Sequence, residues 1–197
     1  MRLFFSVLAT FILTTIVPGQ VVTYEDFKSI IPLMQKENYK KAYMKTTEIL
    51  NTSVNDSSDL RGIVTYMNIR AAAGMVSVDQ MTITEFSDNA KKYVGQKIVM
   101  AGHLCVDSTK NSYNALTFLK KGNQLQGFTV TSNSKNTNIL CFEYFQFKDP
   151  IDPSGFLGKN VRCKGILDSF EVNPSPLKIW IARLHISNAE AHLFTPR

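Results

Sequence analysis

The apolar positions change their period near residue 93. Before it they recur at three- and four-residue steps, the spacing that lines one stripe of a helix. Phe27, Ile30, Ile31 and Met34 form the first such run, and Pro32 disturbs it. The stretch "ENYKKAYMKTTEIL" sets Tyr39, Ala42, Tyr43, Thr46 and Leu50 on one stripe and predicts a second helix. A polar loop, "NTSVNDSSD", follows, and its Ser58 or Asp59 can cap the next helix by accepting from open backbone N–H groups. That helix, "LRGIVTYMNIRAAAGMV", carries Ile63, Tyr66, Met67, Arg70 and Ala71 at helical steps. A fourth is predicted in "TITEFSDNAKKYVG", where Thr82 and Glu85 have capping-box spacing and Gly95 supplies a stop.

Beyond residue 93 the pattern turns to strands. "VGQKIVMAGHL" (94–104) echoes "LGKNVRCKGIL" (157–167), each with a turn Gly, a β-branched entry and a second Gly inside the strand. An interior strand Gly marks a bulge or sharp bend. Between the echoes lie "NALTFLKKGNQLQGFTVTSN" and "NILCFEYFQF"; after them comes "PLKIWIARLHI". Five or six strands are expected, with the first and fourth bent. In the fourth, Val161, Cys163 and Leu167 alternate with Arg162 and Lys164, so the apolar face points in and the basic face out. In the last, Leu177, Ile179 and Ile181 share one face, and Trp180, Ala182, Leu184 and Ile186 share the other. A strand apolar on both faces is covered on both. The helical half is the expected cover, which makes the two halves one cooperative unit.

Residues 93–190 resemble an OB-fold, a five-stranded Greek-key barrel. The stretch "DNAKKYVGQKIVMAGHL" resembles the entry to OB-type domains of exported bacterial proteins, some similar to tRNA-anticodon-binding domains. In the helical half, Glu37-Asn38-Tyr39 followed by Ala42 and Leu50 resembles the Gly-Asp-Tyr-x-x-Ala pattern of tetratricopeptide repeats, with Glu37 in place of the usual Gly. Such repeats need three or more units to bury a continuous core, and at most two hairpins fit here. The expected class is therefore α+β: N-terminal helical hairpins over 20–92, packed on a C-terminal OB-like barrel of five to six strands over 93–197.

Composition adds a compartment. Arg2 precedes an apolar run from Leu3 to Val17, and Val17 and Gly19 suit the −3 and −1 positions of a signal-peptidase site. Residues 1–19 are read as a signal peptide and Gln20 as the mature start, which predicts an exported, periplasmic or extracellular protein. The run falls short of the roughly 20 apolar residues of a membrane span, and no later run is apolar enough. Net charge is +6 over 197 residues, and it is uneven. Residues 20–92 carry nine basic and nine acidic side chains, and residues 93–197 carry twelve and seven. The excess in the strand half is mild, and it serves solubility or an acidic partner. The sequons at Asn51 and Asn55 have meaning only in a eukaryotic host.

The chemistry-bearing residues point to binding. His103, His185 and His192 form no metal-ligand spacing, and no nucleophile elbow, phosphate loop or dinucleotide fingerprint occurs. No catalytic residue, metal or cofactor is assigned. Cys105, Cys141 and Cys163 contain no C-x-x-C pair. Three reduced thiols are favoured, with Cys105–Cys163 the bridge if one forms, provided a bulge at Gly102 turns Cys105 inward. In "CFEYFQF", Phe142 and Tyr144 share one face, and Cys141, Glu143, Phe145 and Phe147 the other; one of the two must be core. The faces of strands two and three bind oligomers in OB proteins, which the resemblance carries to Phe142 and Tyr144, with Lys120 and Lys121 beside them. Arg162 and Lys164 complete the expected binding set. The predicted function is a non-enzymatic exported module for a protein or oligosaccharide. The alternative is an oligonucleotide-binding protein, and a hydrolase or nuclease of the OB-barrel type stands third.

Overall fold

A computed structural model describes residues 20–109 and 113–195. The expected signal peptide, residues 1–19, lies outside the described residues. The class is α+β: among the described residues, four α-helices precede a mixed sheet of seven strands.

The helices start where their caps predict. Thr23 and Asp26 form a capping box on α1 (Tyr24–Gln35), and Thr82 and Glu85 form another on α4 (Ile83–Lys91). Asn38 caps α2 (Tyr39–Thr52), and Ser58, rather than Asp59, caps α3 (Asp59–Ser77). Pro32 lies within α1, which runs only three residues beyond it. Glu37 sits in the left-handed region at φ 53°, the conformation that favours the Gly found there in helical repeats. Helix α3 departs from the one-sided stripe expected of it. It is buried on every side between Gly62 and Val76, apart from Met67 and Arg70, because the other helices and the sheet enclose it.

The strands are β1 (Lys97–Val99), β2 (His103–Cys105), β3 (Ala115–Lys121), β4 (Gln124–Ser132), β5 (Ile139–Phe147), β6 (Asn160–Val172) and β7 (Trp180–Leu193). Seven strands replace the expected five or six for two local reasons. The first bent strand breaks at Met100–Gly102 into β1 and β2. The long run after it is a hairpin, β3–β4, turning at Gly122 with φ 61°. The sheet order is β1-β6-β2-β3-β4-β5-β7, and a further β6–β7 pairing returns the order to β6. The β2–β3 and β5–β7 pairs are parallel and the others antiparallel.

The two sequence echoes are neighbours, with Lys97 opposite Ile166 and Val99 opposite Lys164. Gly165 sits at a register shift of the β6–β7 pair, as an interior strand Gly predicts. A Cβ there would lie 2.6 Å from Ile186 Cγ2 and 2.7 Å from Ser187 O, so only Gly lets β7 approach.

One core joins helices and sheet. Val64, Tyr66, Ile69 and Phe86 pack in the same cluster as Ile98, Met100, Leu140, Phe145 and Leu184. At Gly62 a Cβ would lie 2.8 Å from Val99 Cγ2, so α3 approaches β1 closely. Two polar contacts reinforce the joint: Glu37 Oε1 accepts from Ser134 N at 2.5 Å, and Lys178 Nζ reaches Asp79 and the Val76 carbonyl. The expected cover of the last strand holds in part. Ile181, Ala182, Leu184 and Ile186 are buried in the same core as the α3 residues Tyr66 and Ile69, but Leu177 and Ile179, 75% and 61% exposed, precede β7, and Trp180 is only half-buried.

Candidate functional site

Strand alternation decides which face of β5 is open. Cys141, Glu143 and Phe145 are fully buried, while Phe142 and Tyr144 are half-buried on the opposite side. Cross-strand register extends the open face. Phe128 lies opposite Tyr144 on β4, and Arg183 and His185 lie beside Phe142 and Tyr144 on β7. The rings touch in a continuous row. Phe128 stacks on Phe142 at 6.0 Å between centroids and packs on Tyr144 at 5.1 Å; Tyr144 stacks on His185 at 5.3 Å; Trp180 meets Phe142 edge-on at 6.1 Å.

Arg183 crosses this row. Its guanidinium lies 4.5 Å from the Trp180 ring centroid and 6.0 Å from that of Phe142. One terminal nitrogen donates to Glu171 at 3.3 Å, and its buried Nε has no hydrogen-bond partner. His185 Nε2 donates to the other Glu171 oxygen at 3.3 Å. The Arg183 hydrogen bond, with that from His185, holds the Glu171 carboxyl below the usual range. Burial raises the Tyr144 phenol.

Of the six residues expected to bind, three gather here. Phe142 and Tyr144 form the row, and Lys121 stands at its edge beside Gln126 and Gln146. Lys120, one residue before, alternates to the other side of β3 and is exposed. Arg162 and Lys164 lie elsewhere, on the half of β6 that faces the end of β7. Arg162 stacks on Phe194 at 4.1 Å, and Lys164 lies 3.6 Å from both Asp59 and Glu190. Both are engaged within the fold, because the β6–β7 pairing brings Phe194 and Glu190 alongside them. Phe128, Trp180, Arg183, His185 and Glu171 belong to the face and were missed from the sequence. Their signal was alternation, but only cross-strand register shows which phases coincide.

The buried face of the same strands holds a polar network that sequence reading also missed. Tyr66 reaches from α3 and donates to Glu143 Oε1 at 2.7 Å, and Thr129 donates to Oε2 at 2.6 Å. Thr131 then donates to the Tyr66 oxygen at 3.0 Å. Burial raises the Glu143 carboxyl to about 7 against the pull of these hydrogen bonds. The same burial raises Tyr66 and the Cys141 thiol.

All three cysteines are free and buried, and burial pushes Cys163 to about 12. The break at Met100–Gly102 resets the alternation and turns Cys105 inward, at 0% exposure. His103 Nδ1 meets the Asn114 carbonyl at 2.8 Å, and burial lowers its pKa. Among the described residues, no three His, Cys, Asp or Glu side chains gather as a metal site, and no helix is long and apolar enough to cross a membrane. Comparison of the chain with protein-family models, curated proteins and solved structures returned no match.

Proposed function

We propose that this protein is an exported, non-enzymatic binding module that presents its ligand site on the open face of β4, β5 and β7. The observation that carries the reading is the contiguous row Phe128, Phe142, Tyr144 and Trp180, left half-buried on a sheet whose opposite face is a closed core. Apolar surface gathered in one place, with an arginine crossing it, marks an interaction site rather than scattered surface. The OB-like barrel is part of the proposal. Support comes from the β5–β7 parallel pair, the antiparallel β6–β7 and β1–β6 pairs, and the return of the strand order to β6. In that barrel the open row falls on strands two and three, where oligomers bind. The tetratricopeptide-like character of the helices remains a proposal, supported by the left-handed turn at Glu37.

The ligand is a protein segment or an oligosaccharide. An oligonucleotide is the second reading, favoured by Arg183 lying over Trp180 and Phe142 as cations and rings do in single-strand grooves. Binding to peptide, glycan and oligothymidine libraries, compared between the mature chain and a Phe142→Ala/Trp180→Ala double variant, tests the site. The double variant is expected to keep its circular dichroism and lose its ligand; unchanged binding by a folded variant would overturn the reading. Affinity that falls linearly on a log scale with salt would select the oligonucleotide, since counterion release sets that slope.

A further inference from the structure

We infer that the polar groove at the Tyr144–His185 end of the open face is a sugar-binding subsite for a neutral oligosaccharide. This rests on the reading of that face as the ligand site and names its ligand class. The groove has a volume of about 230 Å³. Gln126 and Gln146 project into it from β4 and β5, and Asp168, Ser169 and Ser187 from β6 and β7. These five side chains make no hydrogen bond, ion pair or ring contact among the described residues. They are two amides, a carboxylate and two hydroxyls, all unspent and converging on one space.

A second cleft shows that this is not the general condition of polar clefts in the molecule. It has a volume of about 390 Å³ and lies at the start of α3. There Asp56 accepts from Val22 N and Ser58, Arg61 donates to Ser53 O and Gln96, and Lys97 donates to Asp59. These groups are consumed in holding the fold. Among the described residues, Gln126, Gln146, Asp168, Ser169 and Ser187 of the groove on the sheet face make no such bond, while Glu171 and His185 beside them are paired with each other.

The chemistry selects the ligand. A sugar ring presents several hydroxyls, each both donor and acceptor. Carboxylates accept from them, and amides both donate and accept. Tyr144 and His185, stacked on each other at 5.3 Å, line the groove and supply apolar ring surface beside these polar groups for the sugar's C–H groups. The charge disfavours phosphate. Asp168 and Glu171 line the groove against one ammonium, Lys121, and like charges across an interface are strongly unfavourable. The aromatic row leads away from the groove toward Trp180, so further sugar units have rings to lie against.

The test is a glycan array of neutral and anionic oligosaccharides probed with the labelled mature chain, followed by titration of the strongest glycan at two salt concentrations. Asp168→Asn, Gln126→Ala and Trp180→Ala are titrated beside it. The expected result is a neutral glycan whose affinity changes less than twofold with salt and drops tenfold or more in both Asp168→Asn and Gln126→Ala. Because neither side chain makes a hydrogen bond or ion pair among the described residues, thermal unfolding should change little in those variants. Preference for anionic glycans overturns the inference, as does a glycan that tolerates both groove substitutions. If a peptide or oligothymidine binds instead, and is lost in Trp180→Ala alone, the subsite fails while the open face stands. If nothing on the glycan, peptide and oligothymidine panels binds, both fail.

Discussion

Strand β5 has two faces that obey opposite rules. On one, Phe145, Cys141 and Glu143 are sealed, and the Glu143 carboxyl has both oxygens hydrogen-bonded. On the other, Phe142 and Tyr144 lie in a row of rings that water still reaches, beside polar side chains with no partner in the fold. The same β-propensity and the same alternation produced both. The difference lies in what packs across from them: α3 sends Tyr66 onto the sealed face, whereas among the described residues no helix closes over Phe142 and Tyr144. The proposed ligand site rests on this contrast between a sealed face and a row of half-buried rings.

The largest separation of the two faces should come from truncating one ring on each. Phe145→Ala is expected to cost about 3–5 kcal/mol, because it opens a cavity in packed core. Phe142→Ala should cost about 1 kcal/mol or less and act on ligand binding instead. Urea unfolding checks both, and equal losses would erase the distinction drawn between the faces. Trp180 is half-buried, so a charge placed there by Trp180→Asp is not sealed from water, and its effect should fall on binding before stability.

Next in size is the pH response of the sealed face. Folded Glu143 keeps its proton to about 7, whereas the unfolded chain releases it near 4.5. Between those values the folded state binds more protons, so its stability falls as pH rises. The full contribution is present below about pH 4.5, and on the order of 3 kcal/mol is lost by neutrality. His103, lowered by burial, acts in the opposite direction up to its unfolded value of 6.5. The difference between wild type and Glu143→Gln isolates the carboxyl: the substitution should flatten the decline between pH 4.5 and 7. A parallel pair of stability curves would remove Glu143 as its source.

The joint between helices and sheet gives a similar or smaller effect. Gly62→Ala places a methyl 2.8 Å from Val99 Cγ2, and overpacking of that kind costs about 1–3 kcal/mol. Because one core spans both halves, the midpoints seen by helix and strand probes should shift together; separate transitions would split the molecule into independent units. The smallest expected effect is chemical. Thiol titration of denatured, unreduced protein should count three free thiols, and the native protein should react slowly because all three are buried with no lowered pKa.

The caps at Ser58 and Thr82, the four helices and the bend at Gly165 could be read locally, because each depends on residues within a few positions of one another; the caps at Thr23 and Asn38 came from the structure. The two faces of β5 were also legible, as alternating sets; which set is core was not. Alternation states only that neighbours point opposite ways, and burial depends on Tyr66, 77 residues away in the chain. Likewise Arg162 and Lys164 share the basic character of Lys121 in sequence, yet Phe194, Asp59 and Glu190 engage them through pairings that no local pattern encodes. The sequence by itself determined the α+β class, the strand-rich second half and the alternation along β5 and the first half of β6, since these follow from short-range geometry; the phases at Cys105 and at Trp180 did not follow, because a strand break and two adjacent buried residues, Ile181 and Ala182, interrupt simple alternation. Tertiary structure alone decided that there are seven strands, that Glu143 is sealed, and that Phe128, Trp180, Arg183 and His185 join Phe142 and Tyr144 on one face. Register between distant strands is set by the packing of the whole core, and it is register that turns separate residues into a surface.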